Sequence, residues 1–142
     1  MLERTMTAQE TQAFLDETHV ANLVTLNPDG SPHVAPLWYV HRQGRLHISA
    51  GASAVKVRNI HRDARVSVSI ANDSSPAAYV LFEGRARVTS DGAAELLVDM
   101  YVRYQGEERG TISAQKTQEA GPSVAIHIEP SKIITWVSGA ND

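Results

Sequence analysis

The segment Ser49-Ala50-Gly51-Ala52-Ser53-Ala54-Val55-Lys56-Val57-Arg58-Asn59 has the composition of an anion site. A strand ends, small residues turn the chain, and a helix begins. The first N–H groups of a helix have no intrahelical partner and point outward, and the helix dipole favours negative charge there. Small side chains let a phosphate approach the backbone. Ser53 can cap the helix, and Lys56 and Arg58 bring positive charge within its first turns. Arg58, His61, Arg62 and Arg65 extend a local basic patch. The alternative reading is a capped helix with a solvated basic face. A second candidate is His33-Val34-Ala35-Pro36-Leu37-Trp38-Tyr39. Pro36 has no N–H, so it interrupts strand pairing, and the flanking backbone groups can face a flat heterocycle. Trp38 and Tyr39 point to opposite faces, so at most one lines a given pocket. The alternative is an edge strand with core aromatics.

Other chemistries lack their residues. With no Cys, a disulfide, a thiolate nucleophile and a Cys-held metal or cluster are excluded. The chain has 6 His, but no His-x-x-x-His pair and no His beside a carboxylate at ligand spacing, so no metal site is expected. His33, His41 and His47 lie on neighbouring predicted strands and can converge; surface or hydrogen-bonded core roles are commoner for such residues. No nucleophile elbow, P-loop or dinucleotide Gly motif occurs.

The elements that must position these residues follow from periodicity. Thr7-Ala8-Gln9-Glu10 has the form of a capping box and predicts a helix over about 7–17. Val20 to Leu26 reads as a strand, Asn27-Pro28-Asp29-Gly30 as a turn, and Ser31 to Val40 as the returning strand, with Pro32 and Pro36 marking an edge. Leu46 to Ala50 predicts a strand, and Val55 to Ile60 a short helix. Val66 to Ile70 and about Ala78 to Thr89 predict two further strands, with a bulge at Gly84. Asp91 is placed as the cap of a helix carrying Leu97, Met100, Tyr101 and Tyr104 at helical spacing. Gln105 to Pro122 reads as a long loop or a weak helix. Val124 to Ile128 and Ile133 to Val137 read as two strands turned at Pro130-Ser131. Successive hairpins with few crossovers predict a mainly β antiparallel barrel with flanking helices.

The chain has 142 residues, which predicts one domain over 1–142. It is 42% hydrophobic and 20% charged, with a formal net charge of -3. That balance fits a globular fold and argues against a non-specific nucleic-acid binder. An acidic N-terminus without an apolar run, and no stretch long enough to span a bilayer, predict a cytoplasmic protein with no membrane association.

Several segments together resemble a known family. They are Val24-Thr25-Leu26-x-x-Asp29-Gly30-x-Pro32-His33-Val34-x-Pro36-Leu37-Trp38-Tyr39, then Lys56-Val57-Arg58-Asn59-Ile60-x-Arg62-Asp63-x-Arg65-Val66, then Glu83-Gly84-Arg85-Ala86. The pattern resembles the pyridoxamine 5′-phosphate oxidase-like, flavin-reductase-like split β-barrel superfamily, and within it the deazaflavin (coenzyme F-420)-dependent oxidoreductase B branch. The resemblance implies a six-stranded antiparallel split barrel forming a homodimer with cofactor sites at the subunit interface. It implies a ring, deazaflavin or alternatively FMN, against Ala35, Pro36, Leu37 and Trp38. The phosphate would be held by Ser49, Ser53, Lys56 and Asn59, with Arg58 as an added charge and Tyr79 nearby. No dedicated proton donor stands out; His33, Tyr79 or water are the candidates. Many members carry Arg two residues before the Lys, where this chain has Ala54. A lost charge-assisted contact of about 1.5–3 kcal/mol weakens binding roughly ten- to a hundredfold, unless Arg58 or a residue of a second subunit replaces it. The implied activity is hydride transfer between a deazaflavin and a small organic substrate. The alternatives are an FMN-dependent reductase or oxidase of the same fold, and a non-catalytic cofactor- or haem-binding dimer.

Overall fold

The structure, a computed structural model, describes residues 4–138. Helix α1 spans Ala8–Asp16. Its capping box is formed: the Glu10 N–H donates to Thr7 Oγ1 at 3.1 Å, and the Thr7 N–H donates to Glu10 Oε1 at 2.9 Å. Phe14 and Leu15 are its buried face. Strands β1 (Ala21–Leu26) and β2 (Pro32–Leu37) form the expected hairpin. The Asn27 N–H donates to the Ser31 carbonyl at 2.8 Å, and Asp29 Oδ1 accepts from the Ser31 N–H at 2.9 Å.

The remaining elements are β3 (Val40–Arg42), β4 (Arg45–Gly51), α2 (Val55–Arg62), β5 (Arg65–Ala71), β6 (Ala78–Thr89), α3 (Ala93–Gln105), α4 (Glu107–Ala120) and β7 (Ser123–Val137). The strands make one antiparallel sheet in the order β2-β1-β5-β6-β7-β4-β3. This is a mainly β split barrel with flanking helices, and among the described residues it has seven strands rather than six. The expected strand Ser31 to Val40 is interrupted at Trp38-Tyr39, where the chain leaves β1 and restarts as β3 against β4. The two prolines of β2, Pro32 and Pro36, are tolerated because β2 is an edge strand.

At its C-terminal end the sequence reading divides what the fold joins. β7 runs without a turn through Pro130-Ser131, pairing with β6 from Ala125 to Val137. The turn signal is absorbed by a bulge at Glu83/Gly84. A Cβ on Gly84 would lie 2.1 Å from the Glu129 carbonyl oxygen, so only glycine lets the two backbones meet there.

One core fills the barrel, with Leu23, Leu46, Ile48, Val68, Ile70, Val80, Phe82, Ile126 and Ile128. Tyr39 belongs to it, its hydroxyl donating to the Leu15 and Glu17 carbonyls at 3.0 and 3.1 Å. A second core lies between α3, α4 and the outer side of the sheet, built from Val40, Ala93, Leu96, Leu97, Met100, Ala114 and Ala125. Most of Gln105 to Pro122 is the helix α4, settling the loop-or-helix alternative. Gly110 lets it close on α3, because a Cβ there would meet the Val102 backbone at 2.6 Å. None of the helices among the described residues is long and apolar enough to cross a membrane.

Candidate functional site

β4 ends at Gly51, and two turns of backbone bonding carry the chain into α2. The Ala54 N–H donates to the Gly51 carbonyl, and the Ala52 N–H donates to the Pro122 carbonyl, both at 3.0 Å. The second bond ties the end of β4 to the segment joining α4 and β7. The N-cap of α2 is Ala54, not Ser53, and no side chain caps it. The turn closed on Gly51 places Ser53 one residue outside the helix. The first N–H groups of α2 therefore remain without a side-chain acceptor. The cap expected at Asp91 is displaced in the same way, to Gly92 in the left-handed conformation.

This strand-to-helix turn forms one wall of a cavity of about 550 Å³. Ser49 to Ser53 line that wall; Leu97, Met100 and Tyr101 of α3 and Thr117 of α4 line the other. The Tyr101 hydroxyl and Thr117 Oγ1 are 3.0 Å apart and lock the helical wall together. Lys56 is half-buried beside this turn, with no ion pair or side-chain hydrogen bond among the described residues. Burial pushes its ammonium pKa below the ordinary 10.5, since desolvation penalises the charged form. A half-buried cation without a counter-charge is the strongest chemical signal in the region.

The other candidates divide by what they touch. Arg58 is exposed and donates to the Ser53 carbonyl at 2.8 Å, bracing the turn from outside. Asn59 is buried and fully engaged. Its amide nitrogen donates to Thr25 Oγ1 at 3.0 Å and to Asn27 Oδ1 at 3.1 Å, and its oxygen accepts from Arg62 at 2.8 Å. It locks α2 to the β1–β2 hairpin. On edge strand β2, Ala35, Pro36 and Leu37 pair with Leu23, Asn22 and Ala21. Trp38 stacks on Tyr104 of α3 at 4.6 Å and meets Tyr101 edge-on at 6.0 Å, so it backs the aromatic wall of the cavity rather than lining it.

Tyr79 is elsewhere. It stacks on Trp136 at 5.3 Å, near the end of β7 opposite to Ala125, the partner of Ser49. Of the predicted site residues only Ser49 and Ser53 line this cavity; Lys56, Arg58 and Asn59 follow on α2 outside its lining, and Tyr79 and Ala35–Trp38 lie apart from it. The three histidines on neighbouring strands also diverge. His41 is buried near Asp16 at 3.5 Å, His47 pairs with His127, and His33 keeps a buried Nδ1 without a hydrogen-bond partner. The sequence reading did not find the α3–α4 wall. The spacing of Leu97, Met100 and Tyr101 marks a buried helical face, but nothing in it says which cavity that face closes.

A model of the family described as pyridoxamine 5′-phosphate oxidase matches residues 7–137. The chain belongs to the pyridoxamine 5′-phosphate oxidase family. Relatives within reach include an F-420H(2)-dependent biliverdin reductase of Mycobacterium tuberculosis, 29% identical over 100 residues, or 70% of this chain and 71% of that protein. The crystal structure of the conserved hypothetical protein Rv2991 from Mycobacterium tuberculosis superposes with a TM-score of 0.80 at 26% identity, covering 93% of this chain and 85% of that one. A structure described as an F420 reductase gives a TM-score of 0.71 at 20% identity, covering 86% of this chain and 94% of that one, a likeness of fold. Family membership and the split barrel agree with the resemblance read from the sequence. They point to flavin or deazaflavin binding and oxidoreductase chemistry as the family's domain of activity.

Proposed function

We propose that the protein is an oxidoreductase that binds a deazaflavin (coenzyme F-420) and uses it to reduce a small organic substrate. The observation that carries this reading is Lys56, a half-buried ammonium without a partner beside an uncapped helix start. The donor set fits a phosphate. Ser49 and Ser53 offer hydroxyls in the cavity wall, and Gly51 and Ala52 offer little side-chain bulk against it. The α2 backbone offers N–H groups and a favourable dipole. A deazaflavin, when bound, supplies the hydride chemistry that no side chain of this Cys-free chain can supply. The protein's own part is to bind, orient and keep dry. Lys56, Ser49 and Ser53 hold the phosphate; Arg58 and Asn59 hold the turn and helix that present them. Leu97, Met100 and Tyr101 exclude water from that side.

The proposed ring face is the β2 edge, Ala35 to Trp38; Tyr79 lies on β6, with β1 and β5 between them, and joins the site only across the proposed subunit interface. Because these residues do not line the Ser49–Ser53 cavity, we place the complete site in a homodimer, each chain supplying part of it. The relative that depends on F-420H(2) favours the deazaflavin over FMN.

The test is a titration of the protein with coenzyme F-420 and with FMN, followed by fluorescence. Tighter binding of coenzyme F-420 is expected. Lys56→Ala is expected to weaken it about ten- to a hundredfold, the worth of one charge-assisted contact. Unchanged affinity in Lys56→Ala overturns the phosphate assignment; tighter binding of FMN replaces the cofactor.

A further inference from the structure

His47 of β4 and His127 of β7 are register partners on the sheet, and their Nδ1 atoms lie 2.7 Å apart. At that separation one nitrogen donates and the other accepts, so at least one ring is neutral. Burial is the leading cause that lowers the pKa of both. The charges of His127, Arg42 and Arg45 act in the same direction on His47, as do Arg87 and Arg45 on His127.

The pair walls a cleft of about 520 Å³ together with Arg45, Arg85, Arg87 and Glu129. Arg45 Nε donates to the Glu129 carboxylate. Arg85 and Arg87 form no ion pair or side-chain hydrogen bond among the described residues. Asp63, whose charge feels Arg85, is already held by Arg65 at 2.7 Å. On the other side of the pair, Arg42 is bound to Asp99 at 2.6 Å, and Asp91 and Glu95 stand at the start of α3. The cleft itself gathers three guanidiniums and a histidine pair against one carboxylate. It does so in a chain whose formal net charge is -3. Positive charge concentrated in a concave site is a field that draws anions.

We propose that this cleft is a second anion-binding site, taking a compact oxyanion with two or more negative charges, either a phosphate or a polycarboxylate. It shares no lining residue with the Ser49–Ser53 cavity. Arg85 and Arg87 are two apart on β6 and project from one face, so both reach a single oxyanion. The guanidinium fork suits phosphate and carboxylate geometry alike. The histidine pair adds a ring N–H. An anion beside the imidazoles favours their charged form, so its arrival draws a proton onto the pair and its affinity rises as pH falls.

The experiment uses Lys56→Ala protein, so that the other phosphate site is weakened whether or not it holds a cofactor. Inorganic pyrophosphate and, separately, citrate are titrated while the ring protons of His47 and His127 are followed by NMR. Both rings are expected to shift along one saturable curve, with tighter binding at pH 5.5 than at pH 7.5. Stronger binding of pyrophosphate assigns the phosphate class, and stronger binding of citrate the carboxylate class. Arg87→Ala, a change at an exposed residue, is expected to weaken binding about ten- to a hundredfold. No saturable shift with either anion overturns the proposal, as does equal affinity in Arg87→Ala and in Arg85→Ala. Neither result bears on the role of Lys56.

Discussion

The Asn59 amide uses its donors on Thr25 and Asn27 and its oxygen on Arg62, all within the barrel's end. These bonds fix the height of α2 against the β1–β2 hairpin. Lys56 one turn earlier keeps no such partner, and on this contrast rests the proposal that Asn59 positions the helix while Lys56 binds. Asn59→Ala strands the buried Thr25 hydroxyl and leaves Arg62 only the Leu26 carbonyl as acceptor. Leaving a buried polar group unpaired costs about 1–3 kcal/mol, and urea unfolding should read a loss of that size. The same variant is expected to bind cofactor more weakly, because the helix start it holds in place carries the proposed phosphate donors. Full stability in Asn59→Ala would remove the internal network as the reason for its burial.

Helix α4 owes its place to two small residues. Gly110 and Ala114 are its buried positions, and they let its backbone approach α3 closely. Its sequence is otherwise polar, so isolated helicity is weak and packing decides its position. A Gly→Ala change inside a helix ordinarily stabilises by up to about 1 kcal/mol. At Gly110 the added Cβ meets the Val102 backbone at 2.6 Å, and backbone cannot swing aside as a side chain can. Overpacking of this kind costs about 1–3 kcal/mol, so Gly110→Ala is expected to destabilise despite the gain in propensity. Loosening of α4 should also raise amide exchange around Thr117, the residue that Tyr101 holds across the cavity. A raised melting temperature would show that α3 and α4 have room to spare.

Four groups with lowered folded-state pKa values set an expected pH dependence of stability. His47 and His127 titrate below the ordinary 6.5 in the folded chain, mainly through burial. The unfolded chain therefore binds protons first, and stability contributed by the neutral rings is present above about 6.5 and lost as pH falls below it. Glu10, held by Arg4, and Asp63, held by Arg65, are lowered to about 2. Their smaller, solvent-screened contribution disappears only at much lower pH, between their unfolded values and about 2. Thermal melts from pH 7.5 to pH 5 should show a falling transition, and replacing both histidines by Gln should flatten that interval. An unchanged slope in the double variant would assign the acid sensitivity to other groups.

Sequence spacing alone determined the parts whose cause is local. The capping box of α1, the Asp29–Ser31 turn, the edge position of β2 with its prolines and the donor-rich turn into α2 all rest on residues a few positions apart. Their conformational preferences act without the rest of the chain. Where distant segments compete, spacing misled. Pro130-Ser131 has turn chemistry, yet β6 offers a continuous partner, and Ser131 donates to the Glu83 carbonyl at 3.0 Å, so the strand runs on. Ser53 and Asp91 are good caps by type, but turn closure one residue later gives the position to Ala54 and Gly92. Tertiary packing alone decided which face closes the Ser49–Ser53 cavity and that Trp38 backs its wall. It also brought His47 to His127, 80 residues apart in sequence, at hydrogen-bonding distance. The arginine charges that crowd that pair come from three strands, β3, β4 and β6, and only the sheet order puts them together.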